Sequence, residues 1–377
     1  MTRRAAPRRA SDADVVIVGG GVMGTACAWE LARSGRRVVV LERSVPGAEA
    51  SSAAAGILGA QSEAHAPGPL AGLALESRRL YPAWVRALTR ATGIDVGYRE
   101  SSALRVAFAA AELRRLAREV AWQQPRPRLL DRRALVRREP ALGARVQGGV
   151  AFEHDARVDP RALFRALHIA AAQSGVDFRS GAYVRRVVTE DGRAAGVALD
   201  DGSVVRGRDI VVAAGSWTTL VEGLGVAPGA VVPARGQIVE LETPVPVLAS
   251  VVLGPRAYLV PRDDGRLLVG STMEFVGYRR EVTAGAVRDL LDAAIELVPA
   301  LANASVKQSW SSFRPYTKDE LPLIGPSPTP RLWLASGHHR NGILLAPVTA
   351  ALVGALVSGK RPLVPLAPFA PGRALML

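Results

Sequence analysis

One segment limits what this chain can fold into more than any other: Asp14-Val-Val-Ile-Val-Gly-Gly-Gly-Val-Met-Gly24, followed a short helix later by Arg37-Val-Val-Val-Leu-Glu42. Val15 to Val18 form a short β-branched run suited to a strand buried on both faces. Gly19, Gly21 and Gly24 follow with GxGxxG spacing. Gly19 permits the tight turn, Gly21 lets a pyrophosphate approach the backbone, and Gly24 lets the ensuing helix pack closely on its strand. Val22 and Met23 open that helix, whose free N–H groups and dipole favour anionic phosphates. The second apolar strand ends at Glu42, close to the ~20 residues past the last glycine where an acid grips a ribose hydroxyl. Strand, glycines, helix and acid in this order point to a dinucleotide cofactor with an unphosphorylated ribose.

The chain has 377 residues and 49% hydrophobic content, room for a sizeable core and for two domains. Its formal charge of +14 is spread along the whole length and carried almost entirely by arginine, Lys307, Lys318 and Lys360 being the lysines. A scattered arginine bias reads as compositional, so no nucleic acid is expected as partner. Residues 1–12 read as a disordered basic tail without the apolar stretch of a secretory signal, and the protein is expected to be cytoplasmic. Cys27 has no cysteine partner and reads as a buried, inert thiol. Asn341 to Gly359 approaches a membrane span in length, but Pro347, Gly354 and its polar residues favour a buried helix, so no membrane is expected.

The fold class expected is α/β (α+β): a Rossmann-like cofactor domain built from discontinuous segments, plus a second domain with a mixed or antiparallel sheet and helices. Residues 13–80, 150–228 and 310–377 are assigned to the first domain, and 81–149 and 229–309 to the second. Helical spacing predicts helices over 70–92, 109–122, 161–174 and 284–297. Short alternating runs with Asp-Gly turns predict a meander across 176–205, returning through the buried strand at Asp209 to Gly215. The arginine- and proline-rich stretch from Pro125 to Pro140 reads as a surface excursion. Ser51, Ser52, Ala54, Ala55 and Gly56 form a small-residue segment able to approach a large flat ligand.

Four further motifs, SSAAAGIL (51–58), YLVPRDDGRLLVGSTM (258–273), FRPYTK (313–318) and GHHRNGILLAPVT (337–349), resemble the D-amino acid oxidase superfamily of flavoproteins, within it the glycine oxidases of thiamine biosynthesis. The resemblance runs over nearly the whole chain. It implies non-covalent FAD, and oxidation of an amine-bearing carbon in which hydride leaves Cα for the flavin, so that no acid–base side chain is called for. The expected activity is oxidative deamination of glycine and other small amines, such as sarcosine or short D-amino acids, with O2 as acceptor, feeding thiazole synthesis.

By motif position, the resemblance makes Arg314 the carboxylate clamp, a planar fork able to meet two oxygens at once. Tyr258 becomes a second carboxylate contact, Met273 a pocket wall, and Arg340 a neighbour of the substrate amine or flavin edge. Arg256 departs from the family pattern and places a bulky cation at the pocket entrance. Cofactor contacts are expected from the first glycine turn, Glu42, Arg43, the 51–56 segment, Val184, Ala214 and Gly215. Gly337, His339, Arg340, Asn341, Gly342, Ile343 and Leu344 complete that set. The adjacent pair His338 and His339 lacks further ligands nearby, and no metal is expected. The alternatives are a D-amino acid or imino-acid dehydrogenase using a quinone or other carrier, and a flavoenzyme acting on tRNA-bound amines. A homo-oligomer is an open expectation.

Overall fold

The computed structural model describes residues 13–375, and the basic tail assigned to 1–12 lies outside the described residues. β1 (Ala13–Val18) runs parallel to β2 (Val38–Glu42) on one side and to Val204–Val212 on the other. The sheet extends past β2 to Asp177–Ser180 and past Val204–Val212 to Leu332–Ser336 and the antiparallel Leu323–Pro326. Val15, Val16, Ile17 and Val40 are fully buried, as β-branched residues in a two-sided sheet require. α1 (Val22–Arg33) and the helices Pro69–Thr92, Pro160–Gln173 and Gly342–Val357 cover one face. The meander Val184–Glu190, Arg193–Leu199 and Val204–Val212 closes the other through Val184, Val187 and Val197.

Local chemistry sets these helices. Asp159 accepts from the N–H groups of Arg161 and Ala162 and Pro160 fills the first turn, so one helix starts there. Gly93, at φ +72°, ends Pro69–Thr92. The stretch His339–Val357 is long and apolar enough to cross a membrane, yet it packs on α1 and Pro69–Thr92. Pro347 leaves the Ile343 carbonyl without its helical donor, and the buried Tyr81 hydroxyl donates to that carbonyl at 3.0 Å. Cys27 is fully buried within α1, and burial pushes its thiol up to about 12.

The second sheet runs in the order Ser305–Tyr316, Val232–Glu242, Arg266–Gly270, Tyr258–Pro261, Val251–Leu253, Ala103–Ala107, Gly148–Phe152, Arg128–Asp131. It is mixed, because Val251–Leu253 pairs parallel to Ala103–Ala107 while its other neighbours are antiparallel. The helix Ala284–Leu297 packs on one face, burying Leu290, Ala294 and Leu297 against Val239, Leu267 and Val269. The opposite face looks into a cavity between the two sheets.

Three expected boundaries shift. Ser305–Tyr316 is one strand paired along Val232–Glu242, so 310–316 belongs to the second sheet. Gly148–Phe152 likewise pairs with Ala103–Ala107. The helix Pro69–Thr92 runs through position 80, and Tyr81, Val85 and Leu88 bury into the first core. The Pro125–Pro140 stretch is more than a surface excursion: Arg128–Asp131 is the edge strand of the second sheet, and Asp131 caps the helix Arg132–Arg138.

Candidate functional site

A cavity of about 650 Å³ runs between the sheets from the first glycine turn to Arg314 and Tyr258. Its size and mixture of apolar walls with a few converging charges suit a cofactor together with a small molecule. At one end, Gly19 has φ +104°, and a Cβ there would stand 2.5 Å from the Ala213 carbonyl oxygen. A Cβ on Gly24 would stand 1.9 Å from the Gly19 oxygen, so this glycine sets the approach of α1 to β1. Gly21 opens to the cavity with only the Ser51 hydroxyl close by, and Ser51 Oγ accepts the Val22 N–H at 2.8 Å.

The Glu42 carboxylate accepts N–H groups from Gly20 at 2.8 Å and Ser44 at 3.0 Å, which fixes it at the cavity wall. Each oxygen keeps a further lone pair for a hydroxyl. The Arg43 guanidinium lies 3.8 Å from the Trp217 ring centroid, and both line the same end. A glycine turn that Cβ atoms would fill, a helix N-terminus and a held carboxylate fit the pyrophosphate and ribose of FAD.

At the far end, the strand Ser305–Tyr316 carries Arg314 and Tyr258–Pro261 carries Tyr258. Arg314 Nη1 donates to the Thr272 carbonyl at 3.1 Å and Nη2 donates to Ser271 Oγ. Both side chains lie flat over glycines of neighbouring strands. A Cβ on Gly236 would stand 2.2 Å from Arg314 Nη1, and one on Gly270 would stand 2.4 Å from Tyr258 Cζ. Burial raises the Tyr258 phenol above its usual range, opposed by the Arg314 charge, so the phenol stays a donor.

Glu63 enters the same cavity from the loop between the 51–58 segment and the helix Pro69–Thr92. Burial pushes its carboxyl up to about 7, against the pull of Arg340 and Arg314. Asp155, fully buried, anchors the loop by accepting from the N–H groups of Gln61 and Ser62 and from Arg78. His338 and His339 are held neutral by burial, both lowered to about 3, and His338 Nε2 sits 3.0 Å from Thr349 Oγ1.

Of the expected contacts, Gly19, Gly21, Val22, Met23, Glu42, Arg43, Ser51, Ala54, Ala55, Gly56, Val184, Ala214 and Gly215 line the cavity. His339, Arg340, Gly342 and Ile343 do so at the start of the last long helix, with Tyr258, Arg314 and Met273 toward the end away from the glycine turn. Five do not. Gly24 is a packing glycine, Ser52 borders a separate small space, and Gly337 turns the chain at φ +74°. Asn341 precedes the helix, and Leu344 is buried with its carbonyl accepting from Ser77. Arg256 reaches the rim but pairs with Glu296 at 2.6 Å, away from Arg314. Among the described residues, no cluster of three His, Cys, Asp or Glu side chains is placed to hold a metal ion.

Glu63, Ser271, Gly236, Gly270 and Trp217 escaped the sequence reading. Gly236 and Gly270 are placed by strand pairing and Glu63 and Trp217 by loop and turn contacts, none of which leaves a periodic signal; the GST triplet at 270–272 was the nearest cue, inside a motif already singled out.

The glycine oxidase of Geobacillus kaustophilus is 39% identical over 94% of this chain and 96% of its own length. A crystal structure of glycine oxidase from Geobacillus kaustophilus superposes with a TM-score of 0.90 at 38% identity, covering 96% of this chain and 98% of that one. A bifunctional protein ThiO/ThiG of Synechocystis is 39% identical over 96% of this chain but only 54% of its own length, so the chain spans about half of that relative. The profile of the FAD dependent oxidoreductase family, DAO, matches residues 14–356, which takes in the glycine turn, Glu63, Tyr258, Arg314 and Arg340. With two sheets, a dinucleotide turn and a guanidinium facing one another across a single cavity, the chain belongs to this family of FAD-dependent oxidoreductases.

Proposed function

We propose that this protein oxidises glycine and other small amines, passing the electrons to O2 and releasing an imino acid that hydrolyses, with hydrogen peroxide as co-product. The observation that carries the reading is Arg314 beside Tyr258 in the FAD cavity, two donors held flat over Gly236 and Gly270. The names of the similar glycine oxidases support the same substrate class. A part in thiazole formation for thiamine belongs to this proposal.

When bound, FAD supplies the two-electron acceptor for a hydride leaving the substrate Cα. The chain's own residues do the positioning. Ser271 and the Thr272 carbonyl engage two of the five Arg314 N–H donors, leaving the others for a carboxylate. The Tyr258 hydroxyl donates to the same carboxylate, so the small zwitterion is held at two points and its Cα is oriented. Ile238 and Phe313 supply buried apolar wall that excludes water, and Met273 lines the more exposed part of the cavity. Ser51, Glu42 and the turn at Gly19 hold the cofactor end.

A panel of glycine, sarcosine, D-alanine and D-proline, followed by oxygen uptake and by dye reduction, tests the reading. Oxygen uptake with glycine or sarcosine supports it. Reduction of dye without oxygen uptake would assign a dehydrogenase instead, and no turnover of any amine would remove the proposal.

A further inference from the structure

Glu63 is the one carboxylate at the substrate end of the cavity whose function the fold does not explain. Its side chain lines the cavity, half-buried, and among the described residues it makes no hydrogen bond or ion pair. Its neighbour Asp155, by contrast, is consumed by Gln61, Ser62 and Arg78. A carboxylate facing a cavity unpaired costs stability unless a ligand completes it. The loop is nevertheless held firmly. Gln61 donates to the Pro125 carbonyl at 2.9 Å, and Gln123 donates to the Gln61 carbonyl at 3.0 Å.

Arg340 and Arg314 are near enough to act on Glu63 electrostatically, but Arg314 spends its hydrogen bonds on Thr272 and Ser271 and neither guanidinium is bonded to Glu63. The substrate end therefore presents two guanidinium groups and one carboxylate, the complement of a zwitterion whose carboxylate takes the cations. The ammonium is left for the anion. An ammonium has no lone pair to stabilise the electron-poor carbon left by hydride departure, so the nitrogen must lose a proton first.

Hydride transfer itself calls for no acid–base side chain, but the amine proton still needs an acceptor: we propose that Glu63 receives the substrate ammonium and accepts its proton, resting on the reading above that the substrate is a small amino acid. In this step one N–H bond of the ammonium breaks and a Glu63 Oε–H bond forms. The amine keeps its lone pair, the electron count is unchanged, and the proton later leaves to water through the cavity mouth. Charge balance suits the exchange: burial and the Asp155 charge favour the protonated carboxyl, while Arg340 and Arg314 favour the ionised one. Of the other ionisable groups of the cavity, Tyr258 is a neutral donor that feels the Glu63 charge, His339 is held neutral by burial, and His65 lies 2.7 Å from Glu119.

The test compares the FAD-loaded wild type with Glu63→Gln and Glu63→Asp. In the wild type, kcat/KM for glycine is expected to rise through an acid limb near pH 7, as Glu63 ionises. Glu63→Gln should lack that limb, lose about tenfold or more at pH 8, and regain rate at higher pH as free glycine loses its own proton. Glu63→Asp should keep the limb with reduced kcat.

A readout independent of turnover is acetate binding, followed by flavin absorbance and Trp fluorescence. Acetate lacks the ammonium, so its dissociation constant should rise with pH through 7 in the wild type and stay flat in Glu63→Gln. A Glu63→Gln protein with wild-type pH profile and wild-type acetate behaviour overturns the role of Glu63 alone. A wild type that oxidises no amine overturns the underlying reading and this proposal with it.

Discussion

Arg314 lies across Gly236 so closely that a Cβ on the glycine would stand 2.2 Å from guanidinium Nη1. The carboxylate clamp proposed for Arg314 thus depends on an absent side chain in the neighbouring strand as much as on the arginine itself. Gly236→Ala forces the far end of a flexible side chain to move and leaves the strand pairing intact. The expected result is a KM for glycine raised about tenfold or more with Tm nearly unchanged, since small misplacements at a binding group are costly. Steady-state kinetics beside a thermal melt check this; an unaltered KM would mean the guanidinium does not touch the substrate.

Gly24 presents the opposite case, because the atom its Cβ would meet, at 1.9 Å, is the Gly19 backbone oxygen. Backbone in a buried turn cannot yield cheaply. Gly24→Ala should destabilise by roughly 3 kcal/mol and weaken flavin retention, as overpacking of a tight contact does. Gly35, at φ +85° with nothing within 4 Å, provides the control: Gly35→Ala should cost only about 1 kcal/mol and leave flavin content unchanged.

Acid should destabilise the protein from a point above the carboxylate range. Burial lowers the His338 imidazole from 6.5 to about 3, so the folded state keeps it neutral while the unfolded chain takes up a proton below 6.5. Its stabilising contribution is fully present above pH 6.5 and is lost progressively as pH falls toward 3. Tm measured between pH 7.5 and 4.5 should fall, and the fall should be shallower in His338→Gln.

Much of this fold was legible because its signals are local. β-branched runs, three spaced glycines and a terminal acid all lie within 14–42, and Asp159-Pro160 marks a helix start without outside help. The edge strand Ser305–Tyr316 was cut at 310 and its second half assigned to the first domain, because residues 305–309 are exposed and mostly polar and show no alternation that would mark a strand running on into 310–316. Arg128–Asp131 was hidden for the same reason, with Leu130 its only buried residue. Arg314, Tyr258 and Arg340 came from motif likeness. Glu63 did not, because the loop that carries it is held by Asp155, more than ninety residues away, which accepts from the Gln61 and Ser62 N–H groups. Arg256 looked important by position, yet the structure pairs it with Glu296, a partner that sequence spacing does not reveal.

The account stands or falls on anaerobic reduction of the yellow, FAD-loaded protein by glycine, with Arg314→Ala beside it. The flavin should bleach in the wild type, and half-saturation should rise at least ~30-fold in the variant, the equivalent of ~2 kcal/mol for a lost partner of a buried charge pair. A variant that bleaches with unaltered half-saturation, or a wild type that takes up no flavin, would contradict it.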